Sequence, residues 1–383
     1  MHTTTAPEQL EQLYLTIRTH LPHLTKPQAY TLALYSFGIA ATSPCGLTTL
    51  ATCLALLLHQ PFNTVRQRLR EYYKDAPHKK GTHRRDLDPA TCFAPLMRWM
   101  TRLWSDTRLI LALDATTLGH RFTALTVRVL YRGRALPVAW KILPATQQGS
   151  WRPHWEALLR ALQGSIPAHW TVLVCADRGL YAPWLFEWIT ALGWHPFLRI
   201  HAQGQYPLEN DPTVRELATV APCAGTHWCG RVVCFKANPL PCTLLACWDT
   251  GHKEAWLIVT DLPPDEVCAE WYAKRAWIES GFSDLKRRGW QWHRTPRQDG
   301  ARAARVWLAL AIATLWVMSV GGSVDEARLG VRGKVSCFRL GRLALWAQWL
   351  SGDAGAWGVL SDWERSSRAP PRRGKSVGGV RCV

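Results

Sequence analysis

Residues 108–143 read RLILALDATTLGHRFTALTVRVLYRGRALPVAWKIL. The first eleven, RLILALDATTL, are an apolar run holding a single acid, Asp114, which predicts a buried strand. From Thr123 to Leu143, two strand-like runs meet at Arg132 and Gly133 and read as a hairpin. Downstream, Ser150 to Leu162 has the periodicity of an amphipathic helix. WTVLVCAD (170–177) is a second buried strand ending in an acid, Tyr181 to Leu192 is a helix closed by Gly193, and PFLRIH (196–201) is a fifth strand. Strand, hairpin, helix, strand, helix, strand is the order of a mixed α/β layer structure.

On the N-terminal side the chain reads as helical. Pro7 to His20, Pro27 to Phe37 and Leu47 to Leu58 carry apolar residues at helical spacing. After a short turn comes NTVRQRLREYYK, with Asn63 as N-cap and Val65, Leu69 and Tyr72 or Tyr73 as one apolar stripe. Arg66, Arg68 and Arg70 lie mostly off that stripe. Two short helices with an arginine-rich second member suit a helix-turn-helix, and equally an ordinary helical hairpin with a solvated basic face. KDAPHKKGTHRRDLDP then reads as a basic linker.

Past the fifth strand the helical signal stops. GRVVCFKA, CTLLACWD and EAWLIVTD are short strands between Pro and Gly turns, and helical periodicity returns over 265–288 and 301–320. The expected organisation is a helical DNA-binding region and linker over 1–86, the first part of a core over 87–200, and a β-strand insertion over 201–263. The rest of the core over 264–322, a helical region over 323–364 and a disordered basic tail over 365–383 complete it. No internal repeat is visible.

Of the 383 residues, 46 are Lys or Arg and 28 Asp or Glu, a formal charge of +18. With 48% hydrophobic and 19% charged residues, the chain is neither disordered nor fibrous, and it is long enough for two or three domains. The charge calls for a polyanion. A membrane surface is the weaker choice: the longest apolar run, Val306 to Gly321, is 16 residues and reads as a core helix. The N-terminus has no secretory pattern, so the expected location is the cytoplasm, with the twelve cysteines reduced. Cys223, His227, Cys229, Cys234, Cys242 and Cys247 form the one dense set. Without a C-x2-C pair they read as buried small hydrophobes first and as zinc ligands second.

Asp114 and Asp177 each place an acid in or at the end of an apolar strand, which is costly unless the acid is paired or binds a cation. Sites in such sheets lie at strand carboxyl ends. The stretch WYAKRAWIESGFSDLKRRG (271–289) supplies a third acid. On a continuous helix, Tyr272, Arg275, Glu279 and Lys286 share an arc of about 60° beside an apolar stripe of Trp271, Ile278, Phe282 and Leu285, while Asp284 points to solvent. Two strand aspartates and a helix glutamate, with no convergent histidine, select hard cations such as Mg2+ or Mn2+. Two such ions suit in-line phosphoryl displacement, Arg275 and Lys286 would hold a phosphate beside them, and Tyr272, Arg178, Arg66, Arg68 and Arg70 are the further expected DNA contacts.

With these residues the chain resembles the DDE transposases of bacterial insertion sequences, specifically the insertion-sequence-four type. Their signature, Tyr, two residues, Arg, three residues, Glu, six residues, Lys, is matched by Tyr272, Arg275, Glu279 and Lys286. LALDATTL resembles the family's first aspartate motif, and CADRGLYAPWLF, with Arg178 after Asp177, resembles the second. The resemblance spans roughly 105–321. It implies a ribonuclease-H-like core with a β-strand insertion before the glutamate, catalytic and metal-binding roles for Asp114, Asp177 and Glu279, and two Mg2+ or Mn2+ ions. It further implies cleavage at inverted-repeat ends to free a 3′-hydroxyl, its attack on the opposite strand or on target DNA, and action as a homodimer on double-stranded DNA. In relatives, a tryptophan on the insertion can stack on a flipped base, and Trp248 is the candidate here. A transposase-derived DNA-binding protein without catalysis, or a stand-alone nuclease on the same core, are the alternative readings. The excess charge falls in three tracks, 60–86, 286–305 and 365–383, carrying +5, +6 and +6.

Overall fold

The computed structural model describes residues 6–351 apart from 81–83, 103, 105, 295–296, 325 and 327–328. The expected basic tail at 365–383, and the end of the helical region before it, lie outside the described residues. Helices α1 (Ala6–His20), α2 (Lys26–Thr42), α3 (Leu47–Leu57), α4 (Phe62–Tyr73) and α5 (Phe93–Thr101) lead into strand β1 (Arg108–Leu118). Next come β2 (Phe122–Tyr131), β3 (Arg134–Pro144), α6 (Arg152–Arg160), β4 (Thr171–Ala176), α7 (Pro183–Ala191) and β5 (His195–Ile200). Strands β6 (Gln205–Leu208), β7 (Asp211–Glu216), β8 (His227–Cys234), β9 (Leu240–Cys247) and β10 (Trp256–Thr260) follow. Helices α8 (Ala269–Ala273), α9 (Trp277–Leu285), α10 (Gly300–Ser323) and α11 (Cys337–Ser351) complete the described chain. The architecture is a mixed α/β sheet flanked by helices.

The chain divides into two compact units, and β1 contributes to both: Thr107–Asp114 belongs to the second unit and Ala115–Ala168 to the first. In the second unit the strand order is β1-β4-β5-β10-β9-β8-β6-β7. β1, β4 and β5 pair in parallel, and the remaining pairs are antiparallel. The parallel strands are the continuous apolar runs LILAL, VLVCA and PFL, the composition of strands covered on both faces.

In the first unit, β2 and β3 form the predicted hairpin. Arg132 (φ 44°) and Gly133 (φ 76°) both adopt left-handed backbone, the requirement of a two-residue type I′ turn. The Arg132 guanidinium donates to the Gly322 carbonyl at 2.8 Å, which offsets the strain of a non-glycine residue there. Helix α2 starts with a capping box: the Thr25 hydroxyl accepts from the Gln28 backbone amide, and the Gln28 side chain accepts from Thr25 N. Val65, Leu69 and Tyr72 of α4 are buried, as their periodicity predicts. The predicted cap is not: α4 begins at Phe62 with Pro61 at the N-cap, so Asn63 lies inside the first turn. Pro61 offers no side-chain acceptor, so α4 starts without a side-chain cap.

Helix α10 corrects the length argument about a membrane. It is 24 residues rather than 16, long and apolar enough to span, yet 89% of its most apolar window is buried within the protein. It packs on α2, α11 and β3. The crossing with α11 is close because both helices use glycine there. A Cβ on Gly341 would collide with the Val317 carbonyl, and one on Gly321 with that of Cys337. Gly341→Ala is therefore expected to cost about 1–3 kcal/mol, read as a lower urea midpoint with an unchanged slope. An unchanged midpoint would mean that the crossing relaxes freely.

The linker and the second charge track are partly structural. Asp75 accepts from Arg305 at 2.7 Å and from Arg302 at 3.1 Å. Arg305 is buried and also donates to the Leu87 and Tyr73 carbonyls. Arg297 donates to the Tyr35 hydroxyl and stacks on Tyr73. These three arginines tie α10 and the segment before it to the helical region, so they are not free to track a polyanion. The Arg305 hydrogen bonds hold the Asp75 carboxyl below the usual carboxylate range.

Candidate active site

Asp114 lies in β1 and Asp177 follows the last residue of β4. The two strands are parallel neighbours paired through Ala112 and Cys175, and the same register carried two residues further sets Asp114 level with Asp177. Both acids therefore lie just past the last paired residues of β1 and β4, at the edge where that pairing ends. There a single atom joins them: Nη2 of Arg275 is 3.1 Å from Oδ2 of Asp114 and 3.1 Å from Oδ2 of Asp177. The Asp114 and Arg275 side chains are only 16% and 13% exposed, whereas that of Asp177 is 40% exposed. The nitrogen occupies a position where a cation is attracted by both carboxylates.

Tyr272 braces the same edge. It is buried, and its hydroxyl donates to the Ala176 carbonyl at 3.2 Å, one residue before Asp177. Burial pushes its phenol pKa up. Below the site, burial drives the Cys175 thiol up to about 12, so it stays a neutral hydrophobe beside the ion pairs.

The helix carrying the remaining predicted residues is not continuous. α8 ends at Ala273, Lys274–Ala276 form one 3-10 turn, and α9 starts at Trp277. A 3-10 turn advances about 120° per residue rather than 100°, so the four side chains do not lie on one continuous α-helix and the projection that assumed one does not apply. Tyr272 and Arg275 belong to the second unit; Glu279 and Lys286 belong to the first. Glu279 is exposed on α9. Lys286 follows that helix, and its Nζ donates to the Thr116 hydroxyl at 2.7 Å.

Asp284, expected in solvent, is buried, with Oδ2 2.6 Å from Nε of Arg134 on β3. The cause is α9's close seat on β3, where a Cβ on Gly281 would meet the Ala135 carbonyl at 2.6 Å. A helix packed that tightly buries more of its circumference than one apolar stripe. Burial raises the Asp284 carboxyl to about 6 despite the adjacent guanidinium.

The remaining predicted contacts sit elsewhere. Arg178 is exposed and shares Glu254 with Arg199, at 2.9 and 2.8 Å. Trp248 is half-buried just past β9, and its Nε1 donates to the His252 carbonyl at 2.9 Å. Arg66, Arg68 and Arg70 are half-buried on α4, with Arg68 donating to Gln60 and lying over the Tyr30 ring. Glu254 was invisible in the sequence because its partners are 76 and 55 residues away.

Residues 105–316 match the family model described as transposase DDE domain. The chain belongs to that family. Members of the transposase DDE domain family generally use divalent metal ions, and the matched stretch contains Asp114, Asp177 and Glu279. Among solved structures, this family member is similar to a piggyBac transposase synaptic complex with hairpin DNA. Identity is 10% and the TM-score 0.37, over 90% of this chain and 83% of that one. No curated protein matches. The two aspartate oxygens converging on one cationic nitrogen are the donor type and placement that a hard divalent ion requires, so the residues present fit such an ion.

Proposed function

We propose that this protein is a cut-and-paste transposase of the insertion-sequence-four type, with a ribonuclease-H-like core. It binds the inverted-repeat ends of its element and cleaves and joins DNA through Asp114, Asp177 and Glu279. The observation that carries the reading is the convergence of Asp114 and Asp177, from parallel neighbouring strands, on one cation position in a chain of the transposase DDE domain family. Mg2+ or Mn2+ bound by the three acids, as a pair of ions, would supply charge neutralisation for in-line phosphoryl displacement.

The chain's own residues then divide the work. Asp114 and Asp177 hold the cation position on the rigid sheet edge, and Glu279 adds the third carboxylate from α9. Arg275 neutralises the two aspartates and, where these hold an ion, would be available to a DNA phosphate. Lys286 offers a second phosphate contact. Tyr272, being buried, acts as a positioning residue for the strand end rather than touching DNA. Arg66, Arg68, Arg70 and Arg178 contribute to the path of the duplex, and Trp248 stacks on a base displaced at the transposon end. Action on paired ends implies a homodimer on DNA.

The test is incubation of the full chain with a duplex carrying the element's end, in Mg2+ and in Mn2+. Nicked product followed by hairpin or target-joined product supports the proposal. Binding without nicking in either metal would sink it, and nicking without any joined product would favour a stand-alone nuclease. Arg275 supplies a readout independent of turnover. Arg275→Ala removes the guanidinium that competes for the position between the two carboxylates, so Mn2+ is expected to raise its melting temperature more than that of the wild type, by roughly 2–4 °C. Equal shifts would place the metal elsewhere.

A further inference from the structure

The β8–β9 hairpin carries a second cluster of metal-ligating groups. His227 on β8 pairs directly with Cys247 on β9, and directly opposed residues project from the same face. Nδ1 of His227 lies 3.4 Å from Sγ of Cys247. Two residues past Cys247, Asp249 directs Oδ1 to 3.7 Å from that sulfur and 3.0 Å from Nε2 of His227. The ligand atoms of all three lie within 4.8 Å of one another. Backbone bonds hold the arrangement: Trp248 N donates to Thr226 O at 2.9 Å, Gly225 N to Trp248 O at 2.6 Å, and His252 N to Asp249 O at 3.1 Å.

These separations can be compared with those a metal imposes. Zinc bonds of about 2.3 Å to sulfur and about 2.0–2.2 Å to nitrogen and oxygen, at tetrahedral angles, put ligand atoms about 3.4–3.6 Å apart. The Sγ–Nδ1 and Sγ–Oδ1 distances are within about 0.2 Å of that range; the 3.0 Å contact of Asp249 is to the other ring nitrogen, Nε2, so binding through Nδ1 requires the half-exposed carboxylate to swing from Nε2 toward the ion. One thiolate, one imidazole and one carboxylate form a borderline-soft set, which favours zinc over the Mg2+ or Mn2+ suited to the all-carboxylate site.

We propose that His227, Cys247 and Asp249 bind one zinc ion, with a fourth position open to water and the Cys247 thiol releasing its proton to solvent. The ion ties the ends of β8 and β9 to the turn that follows, on either side of Trp248. The cysteine-rich sequence pattern contained two of these ligands but not Asp249. The other sulfurs go elsewhere: Cys234 and Cys242 face each other at 3.7 Å, and Cys229 contacts the Pro264 carbonyl.

Cobalt spectroscopy tests this directly. The purified full chain, stripped with chelator, is titrated with Co2+ in excess Mg2+. A sulfur-to-cobalt charge-transfer band should saturate at one ion per chain and vanish on adding Zn2+; the carboxylate site has no sulfur and cannot produce it. His227→Gln and Asp249→Asn change exposed side chains and should weaken binding by about 100-fold or more, whereas Cys234→Ser should leave the band intact. No band in the full chain would overturn the proposal. So would a band that persists in both the His227 and Asp249 variants, since thiols alone would then hold the ion.

Discussion

Alanine at Asp114, Asp177 or Glu279 is expected to abolish strand cleavage while leaving end binding within a few-fold of the wild type. The two readouts separate for a physical reason. Cleavage depends on carboxylates that hold divalent ions against developing charge, a contribution of several kcal/mol, and each 1.4 kcal/mol is tenfold in rate. Loss of one ligand should therefore cost about 10^3-fold or more. End binding is driven by Lys and Arg neutralising phosphates, and deleting an acid from a chain of charge +18 does not weaken that attraction. Gel assays of nicking in Mg2+ and of mobility shift at matched salt separate the two effects. Glu279→Ala is the decisive arm, because the aspartates are joined through Arg275 in one unit whereas Glu279 belongs to the other. If that variant still nicks DNA at a wild-type rate, Glu279 is not a member of the site.

The second large effect is on stability and concerns Asp284. With its folded carboxyl raised to about 6 from an ordinary 3.8, the native state holds a proton that the unfolded chain has already released between those values. The unfolded state binds fewer protons there, so stability falls as pH rises from about 4 to about 6. A shift of about two units bounds the loss at about 3 kcal/mol. Asp75 acts in the opposite sense: its depressed carboxyl contributes stability above its ordinary range, lost as pH falls through the folded value. The informative quantity is therefore the wild-type stability minus that of Asp284→Asn, from urea midpoints at pH 4.5 and pH 7. It should drop across that interval. A flat difference would show that Asp284 titrates normally and that its burial is relieved in solution. Asp284→Ala should be more damaging at pH 7, by about 3–5 kcal/mol, because Arg134 then keeps its charge on β3 without the carboxylate that pairs with it.

Which groups the sequence placed correctly follows from the range of the interactions involved. The β2–β3 hairpin, the buried stripe of α4 and the runs forming β1, β4 and β5 rest on local periodicity and turn chemistry, and all were readable. Asp114 and Asp177 were recognisable because an acid in an apolar strand is conspicuous wherever that strand sits. The helix over 265–288 misled because its pattern is compatible with unbroken helix, and a single 3-10 turn interrupts the continuous α-helix that the four-residue arc assumed. Asp284 misled for a related reason. Helical projection orders residues around an axis but carries no information on how deeply the axis is sunk, and that depth is set by Gly281 against the Ala135 carbonyl.

The same division covers charge and metal chemistry. The sequence alone determined a strongly basic chain, a mixed α/β fold and three acids at spacings that resemble a transposase, because composition, periodicity and motif spacing are properties of the linear chain. Only the tertiary structure decided how those groups are used. Arg305, counted among the basic residues, spends its charge on Asp75 and on buried carbonyls. Arg275, read as a phosphate ligand, stands between two aspartates 161 and 98 residues away. Asp249 joins His227 and Cys247 only because the register of β8 on β9 sets them side by side. Charges and ligands act over a few ångströms, and which residues come that close is fixed by strand register and helix seating, not by distance along the chain.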